Sequence, residues 1–206
     1  MDTGLLARNI DNAKLSSILF YLLFDHKAKY VDYAGGYGVF TRLMRDIGFD
    51  FYWDDPYTKN LLASGFEYSS SIGAIEAVTS FECFEHLYDP LKELEKMVRI
   101  SRNILFSTYL LPHPIPRPGE WWYYQFEHGQ HISFYTHQSL GKLGAHFGLR
   151  FYSFGSMHLL TEKNIHPRLL KLMLRFFDAI LFQFVRMNME SRTNRDSENM
   201  KVFEAL

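Results

Sequence analysis

Apolar positions recur in two rhythms along most of the chain. Leu15, Ile18, Leu19, Leu22 and Leu23 fall at helical spacing between Asn12 and Asp25, which predicts an amphipathic helix. Lys29 to Ala34 reads as a buried strand, and Gly36 to Asp46 as a helix stopped by Gly48. Phe49 to Trp53 predicts a second strand. Asp55-Pro56 then carries a helix-start signal, an acid able to cap the first turn followed by a proline suited to it. Ala74 to Phe81 is a third apolar run. Asp89-Pro90 repeats the start signal and opens a helix to about Ile100, and Asn103 to Leu110 predicts a further strand. Strands alternating with helices at this spacing imply βαβ units. The fold class is α/β, a doubly wound, mostly parallel sheet with helices on both faces.

The rhythm breaks between Leu111 and His131. Pro112, Pro114, Pro116 and Pro118 exclude regular structure, and Trp121, Trp122, Tyr123 and Tyr124 follow, so a long functional loop is expected. Its aromatic run either walls a substrate pocket or packs into the core. Thr136 caps a helix ending at Gly148. Leu149 to Phe154 and Met157 to Leu160 predict two closing strands, antiparallel at the sheet edge. Arg168 to Met189 is a very apolar helix whose polar stripe is narrow and mostly cationic. It is too interrupted for a clean membrane span. It packs on the domain, joins a second copy in a homodimer, or lies on a membrane surface. The polar stretch from Glu190 predicts a loose connection to a last short segment. The expected division is residues 1–160 as the main domain with its N-terminal helix, and 161–206 as a C-terminal helical extension.

Composition narrows the partners. A chain of 206 residues, 47% of them hydrophobic, can bury a sizeable core. The net charge of -1 gives no global footprint for nucleic acid, so none is expected as a partner. Cys83 is the one cysteine, which excludes an internal disulfide and fits a reducing, cytoplasmic compartment. The first fifteen residues lack the charge and apolar run of a secretory signal.

Candidate chemistry begins at VDYAGGYGVFT, Val31 to Thr41. A dinucleotide loop needs a third glycine, where Thr41 or Val39 stands instead. A Walker-type loop needs a lysine that is missing. What fits is an acid followed by alternating small residues: Asp32, Ala34, Gly36, Gly38. Glycines there let a ligand approach the backbone. In FYWDDPY, Asp55 is placed to accept ribose hydroxyls, or to cap the helix that Pro56 begins. Asp54 faces the other side of the strand.

The loop, FYWDDPY, the run AVTSFECFEHLYDP and the later HISFYTHQSL together resemble the class I S-adenosylmethionine-dependent methyltransferases. The similarity is to their type 11/23-like subfamily, which includes ubiquinone-type O-methyltransferases, and covers roughly Asp2 to Leu160. Ala34 departs from that pattern, standing where the first glycine is usual. The resemblance implies a Rossmann-like sheet and S-adenosylmethionine as methyl donor. It places Asp32, Ala34, Gly35, Gly36, Gly38, Asp55 and Phe81 at the cofactor. It also implies a small-molecule or glycan acceptor methylated on a hydroxyl. The alternative is a non-catalytic member of the same fold that binds cofactor or a protein partner.

Glu82, Glu85 and His86 stand at i, i+3 and i+4 and share a face if that segment is helical. Related methyltransferases use this segment for a divalent metal, completed by a later histidine that His131 matches. Glu82, Glu85, His86 and His131 are therefore the candidate ligands, with magnesium as the candidate ion. His131, His86 and Glu85 are the candidate catalytic groups, acting on the acceptor hydroxyl. The competing reading is structural, with His86 a satisfied buried histidine. Arg8, ahead of the first helix, either reaches the cofactor carboxylate or sits on the surface. Cys83 is expected to be a small buried apolar residue, and His113 and His128 ordinary loop histidines.

Overall fold

The computed structural model describes residues 3–126 and 131–204, so His128 lies outside the described residues. Six strands form one mixed sheet in the order β2-β1-β3-β4-β6-β5. They are β1 (Lys29–Tyr33), β2 (Asp50–Asp54), β3 (Ile75–Ser80), β4 (Ile104–Ser107), β5 (Arg150–Phe154) and β6 (Met157–Thr161). β1 runs parallel to β2, and β3 parallel to β4. β6 runs antiparallel to both β4 and β5, which gives the expected closing pair with β5 at the edge. The fold is Rossmann-like, with helices at both termini.

The helices are α1 (Leu5–Leu23), α2 (Val39–Ile47), α3 (Pro90–Ile100), α4 (His137–His146), α5 (Pro167–Asn188) and α6 (Thr193–Glu204). Local chemistry sets several of their ends. Asp89 accepts a hydrogen bond from the Lys92 amide and Pro90 opens the first turn of α3, as expected. Thr136 and Ser139 cap α4 reciprocally. Gly48, at φ 126°, ends α2 and donates to the carbonyls of Met44 and Arg45. Three expectations differ. α1 begins seven residues earlier than Asn12, at Leu5, and carries Arg8 on its exposed surface. No helix follows Pro56, where the chain instead makes turns to Gly65. Cys83 is half-buried, not buried.

The contacts divide the chain into two compact units, residues 1–76 with 168–206, and residues 77–167. The first has an aromatic core. Tyr30 stacks on Phe51 at 5.2 Å and meets Phe20 at 4.7 Å. The connection after Glu190 is not loose. Asp196 on α6 is buried and takes both Nε and Nη2 of Arg45 on α2, at 2.8 and 2.7 Å. The same guanidinium reaches Asp50 at 2.9 Å and lies 3.6 Å over the Phe66 ring. Arg192 adds a bond to the Gly48 carbonyl. The polar composition of this stretch therefore reflects an ion-pair network and not a solvated tether.

The second unit centres on Phe84 stacked on Phe106 at 3.9 Å. His158 of β6 is fully buried between Phe106 and Phe151. Its Nε2 donates to the Thr108 carbonyl at 3.0 Å, and its Nδ1 has no partner. Burial pushes the imidazole down from 6.5 to about 4. A depressed folded value means the unfolded chain binds the proton more readily. Stability is thus full above pH 6.5 and drains as pH falls toward 4, by on the order of 3 kcal/mol. His158→Gln keeps a donor for Thr108 without the titration. Urea midpoints across that window should fall more steeply for the wild type. Parallel slopes for the two proteins would refute this.

Candidate active site

In the first unit, β1 delivers Asp32 to the base of the glycine loop. The carboxylate is buried, and its Oδ2 accepts from the Thr41 hydroxyl at 3.0 Å. Thr41, the residue that breaks the dinucleotide pattern, thus pins the first turn of α2 to the strand end. Ala34, Gly36 and Gly38 all lie in the left-handed region, at φ 58°, 54° and 82°. For Ala34 that conformation costs about 1 kcal/mol relative to glycine. Ala34 stays there because its amide donates to the Asp54 carbonyl at 2.7 Å.

The three glycines differ in what surrounds them. A Cβ on Gly35 would stand 2.8 Å from both Asp32 Oδ2 and Trp53 Cδ1, and one on Gly38 would stand 2.6 Å from Asn60 Oδ1. A Cβ on Gly36 would meet nothing within 4 Å. Gly36 is therefore where the loop turns an open backbone face outward, and the other two are packing requirements.

Asp55 closes the loop from the β2 side. Its Oδ2 accepts from the Gly36 amide at 2.9 Å, and its Oδ1 from the amides of Tyr57 and Thr58 at 2.8 and 3.0 Å. It caps a turn and not a helix, while keeping lone pairs for a ligand hydroxyl. Burial and the Asp55 charge raise the pKa of Asp54. Six of the seven expected cofactor residues, Asp32 through Gly38 with Asp55, meet in this one loop system. Phe81 follows β3 in the second unit and is half-buried.

A separate cluster occupies the second unit. Phe84 to His86 form a single 3-10 turn, entered through Glu82 at φ 51°. The left-handed entry turns Glu82 away. Its amide donates to Ser107 Oγ at 2.9 Å and its carboxylate accepts from that hydroxyl at 3.2 Å. Glu85 points inward, fully buried, and neither carboxylate oxygen makes a hydrogen bond of ordinary geometry, although the Tyr123 and Thr108 hydroxyls lie near enough to oppose part of its pKa shift. Burial first, then the Glu82 charge, pushes its pKa up to about 7. The Glu85 carbonyl accepts from the amides of Ile132 and Ser133 at 2.8 and 3.0 Å, which brings His131 alongside. The His131 and His86 rings lie 5.0 Å apart, edge to face. His86 itself is exposed, not buried.

His131 has a defined tautomer. Its Nδ1 lies 2.6 Å from the Tyr123 carbonyl, which can only accept, so Nδ1 carries the proton and Nε2 keeps a lone pair. Burial, with the His86 charge adding, lowers its pKa. The aromatic run divides between buried and exposed positions. Tyr123 is buried beneath the cluster with its hydroxyl 3.3 Å from Thr108 Oγ1, whereas Trp122 is exposed.

Residues 6–153 match the family model of the methyltransferase domain. This chain belongs to that family. The chain is also similar in fold to solved structures at low identity. One is a chain of the complex between the Haloferax volcanii Trm112 methyltransferase activator and a candidate methyltransferase, 14% identical over 79% of this chain and 96% of that one, at TM-score 0.53. Another is magnesium protoporphyrin IX methyltransferase of Synechocystis with bound SAH, 12% identical over 74% and 82%, at 0.51. A third is a SAM-dependent methyltransferase of Thermotoga maritima, 12% identical over 78% and 92%, at 0.50. The chain spans 56% of the length of TnmH, another structure it resembles. No curated protein matches its sequence.

Among the described residues, the chain gathers one metal-capable group, Glu85, His86 and His131, whose ligand atoms all lie within 4.8 Å of one another. The poorly hydrogen-bonded carboxylate and the free Nε2 fit a divalent cation. Two imidazoles and one carboxylate suit a first-row transition ion better than magnesium, which prefers oxygen. Glu82 is not part of the trio. Sequence reasoning missed the roles of three residues: Thr41 as a pin on Asp32, Trp53, whose indole donates to the Gly36 carbonyl at 2.8 Å, and Tyr123 as the acceptor that fixes His131. Each acts through a partner that only the fold supplies.

Proposed function

We propose that this protein transfers the methyl group of S-adenosylmethionine to a hydroxyl of a small molecule or glycan in the cytoplasm. The open face of Gly36, flanked by Asp32, Ala34, Gly35 and Gly38, receives the methionine end of the donor. Asp55 receives the ribose hydroxyls. The acceptor oxygen attacks the methyl carbon as the carbon–sulfur bond breaks, and the electron pair stays on sulfur to leave S-adenosylhomocysteine. The acceptor proton needs a base. The observation that carries this reading is the buried Glu85 carboxylate, which makes no hydrogen bond of ordinary geometry, beside the free Nε2 of His131, with His86 at the exposed edge. A carboxyl group pushed up to about 7, as that of Glu85 is, is matched to that proton transfer.

The same three side chains would hold a divalent metal, which when bound would lower the pKa of the acceptor hydroxyl. Calorimetry with manganese, zinc and magnesium, run on the wild type and on Glu85→Ala and His86→Ala, separates a metal site from a metal-free base.

The donor is tested first. S-adenosylmethionine or S-adenosylhomocysteine at about 100 times its Kd should stabilise the fold by about 2.7 kcal/mol, seen as a thermal shift. Asp55→Ala should reduce that shift. Absence of any shift with either ligand at millimolar concentration would sink the proposal. An acceptor screen with labelled donor, set with sugars and phenols, then identifies the hydroxyl.

A further inference from the structure

Helix α5 turns one apolar face to solvent. Leu169, Leu172, Phe176, Ile180, Phe184 and Met187 recur at three- and four-residue steps and are each at least half exposed. The opposite flank is settled. Leu170 and Val185 are buried, Asp178 is ion-paired with Lys14 of α1, and Tyr21 meets Phe184 edge-on at 5.7 Å. Between these flanks runs a row of exposed cations, Arg168, Lys171, Arg175 and Arg186. The Arg175 guanidinium lies 5.4 Å over the Phe176 ring, beside the apolar face. Asp178 is the only acid on the helix, and Lys14 already takes it.

We infer that α5 seats this protein on an anionic phospholipid surface, with the apolar face in the interfacial layer and the cationic row on lipid phosphates. Charge decides between the candidate occupants. A second copy packed antiparallel on the same face about a two-fold axis would set cationic row against cationic row, with no free acid on the helix to pair them. A bilayer rich in anionic lipid supplies apolar contact and negative charge together, without requiring matched side chains. Spanning is excluded as the mode of contact, because no described helix is long and apolar enough to cross a membrane.

The test is co-sedimentation of the full chain with phosphatidylcholine vesicles, with and without phosphatidylglycerol. Binding should appear on the anionic vesicles and weaken with salt. Arg168→Gln, Lys171→Gln and Arg175→Gln should each reduce it about fivefold, as expected for a charge near such a surface. Phe176→Ser with Ile180→Ser should abolish it. These side chains are exposed, and unchanged thermal unfolding of each variant verifies its fold. Equal binding to neutral vesicles, no binding to either, or binding unaffected by both sets of variants would overturn the inference. So would a sedimentation-equilibrium dimer dispersed by Phe176→Ser in a protein that ignores vesicles. The inference rests on α5 alone, so its failure would leave the donor titration unaffected.

Discussion

The Glu85→Gln protein is expected to transfer methyl groups about 10²- to 10⁴-fold more slowly than the wild type, yet to resist urea better. Both effects have one cause. Glu85 is fully buried, and neither of its carboxylate oxygens makes a hydrogen bond of ordinary geometry. A buried charge so poorly hydrogen-bonded is costly, so a neutral isostere should gain on the order of 1–3 kcal/mol at pH 8 with chelator present. The amide has no basic lone pair of the same strength, so it cannot take the acceptor proton or serve a metal equally well. Single-turnover rates and urea midpoints, measured on one preparation, read the two effects separately. A purely structural glutamate would show no such opposition. If rate and stability fell together, Glu85 would be a packing residue and the proposed base would have to be sought in His131 alone.

Asp196→Ala should be the most destabilising single change at the C-terminal end, by on the order of 3–5 kcal/mol, or about 10 °C in Tm for a chain of this size. The partner left behind causes the loss. The Arg45 side chain is only 3% exposed, and its Nε and Nη2 would be stranded without a carboxylate. Arg42, which also reaches Asp196 at 2.9 Å, would lose a bond too. Asp196→Asn keeps two acceptor sites' worth of lone pairs on one oxygen and should cost less. Calorimetric unfolding of the three proteins checks the order. An Asp196→Ala protein that melts with the wild type would mean the network contributes nothing.

What could be read from the residues was whatever is decided locally. Asp89-Pro90 opens α3 because the cap, the proline and the buried Leu94 and Met97 all lie within eight positions. Asp55-Pro56 carries the same two letters and opens no helix. Its carboxylate is committed to Gly36, Tyr57 and Thr58, and no sustained apolar period follows to bury a helix face. The glycine loop was legible as a backbone cradle. The pinning role of Thr41 was not, since it needs the buried position of Asp32. The Glu82, Glu85 and His86 spacing suggested a shared helical face. A left-handed Glu82 and a 3-10 turn instead separate the two glutamates, and His131 joins Glu85 through backbone bonds 47 and 48 positions away, at Ile132 and Ser133. The Arg45–Asp196 pair spans 151 positions and leaves no trace in either segment's composition, which is why the stretch after Glu190 reads as a tether.

That pair has a practical consequence for where this fold is cut. The family match stops at residue 153, in β5, before β6 and before the helix bearing Asp196. A fragment trimmed to the family boundary would lose β6, the antiparallel partner of β4. It would also open the underside of α2, the helix whose first residues follow Gly38 of the donor loop. Boundaries drawn from shared ancestry and boundaries drawn from closed packing do not coincide in this chain, and a shortened protein would report on the cut before it reported on the chemistry.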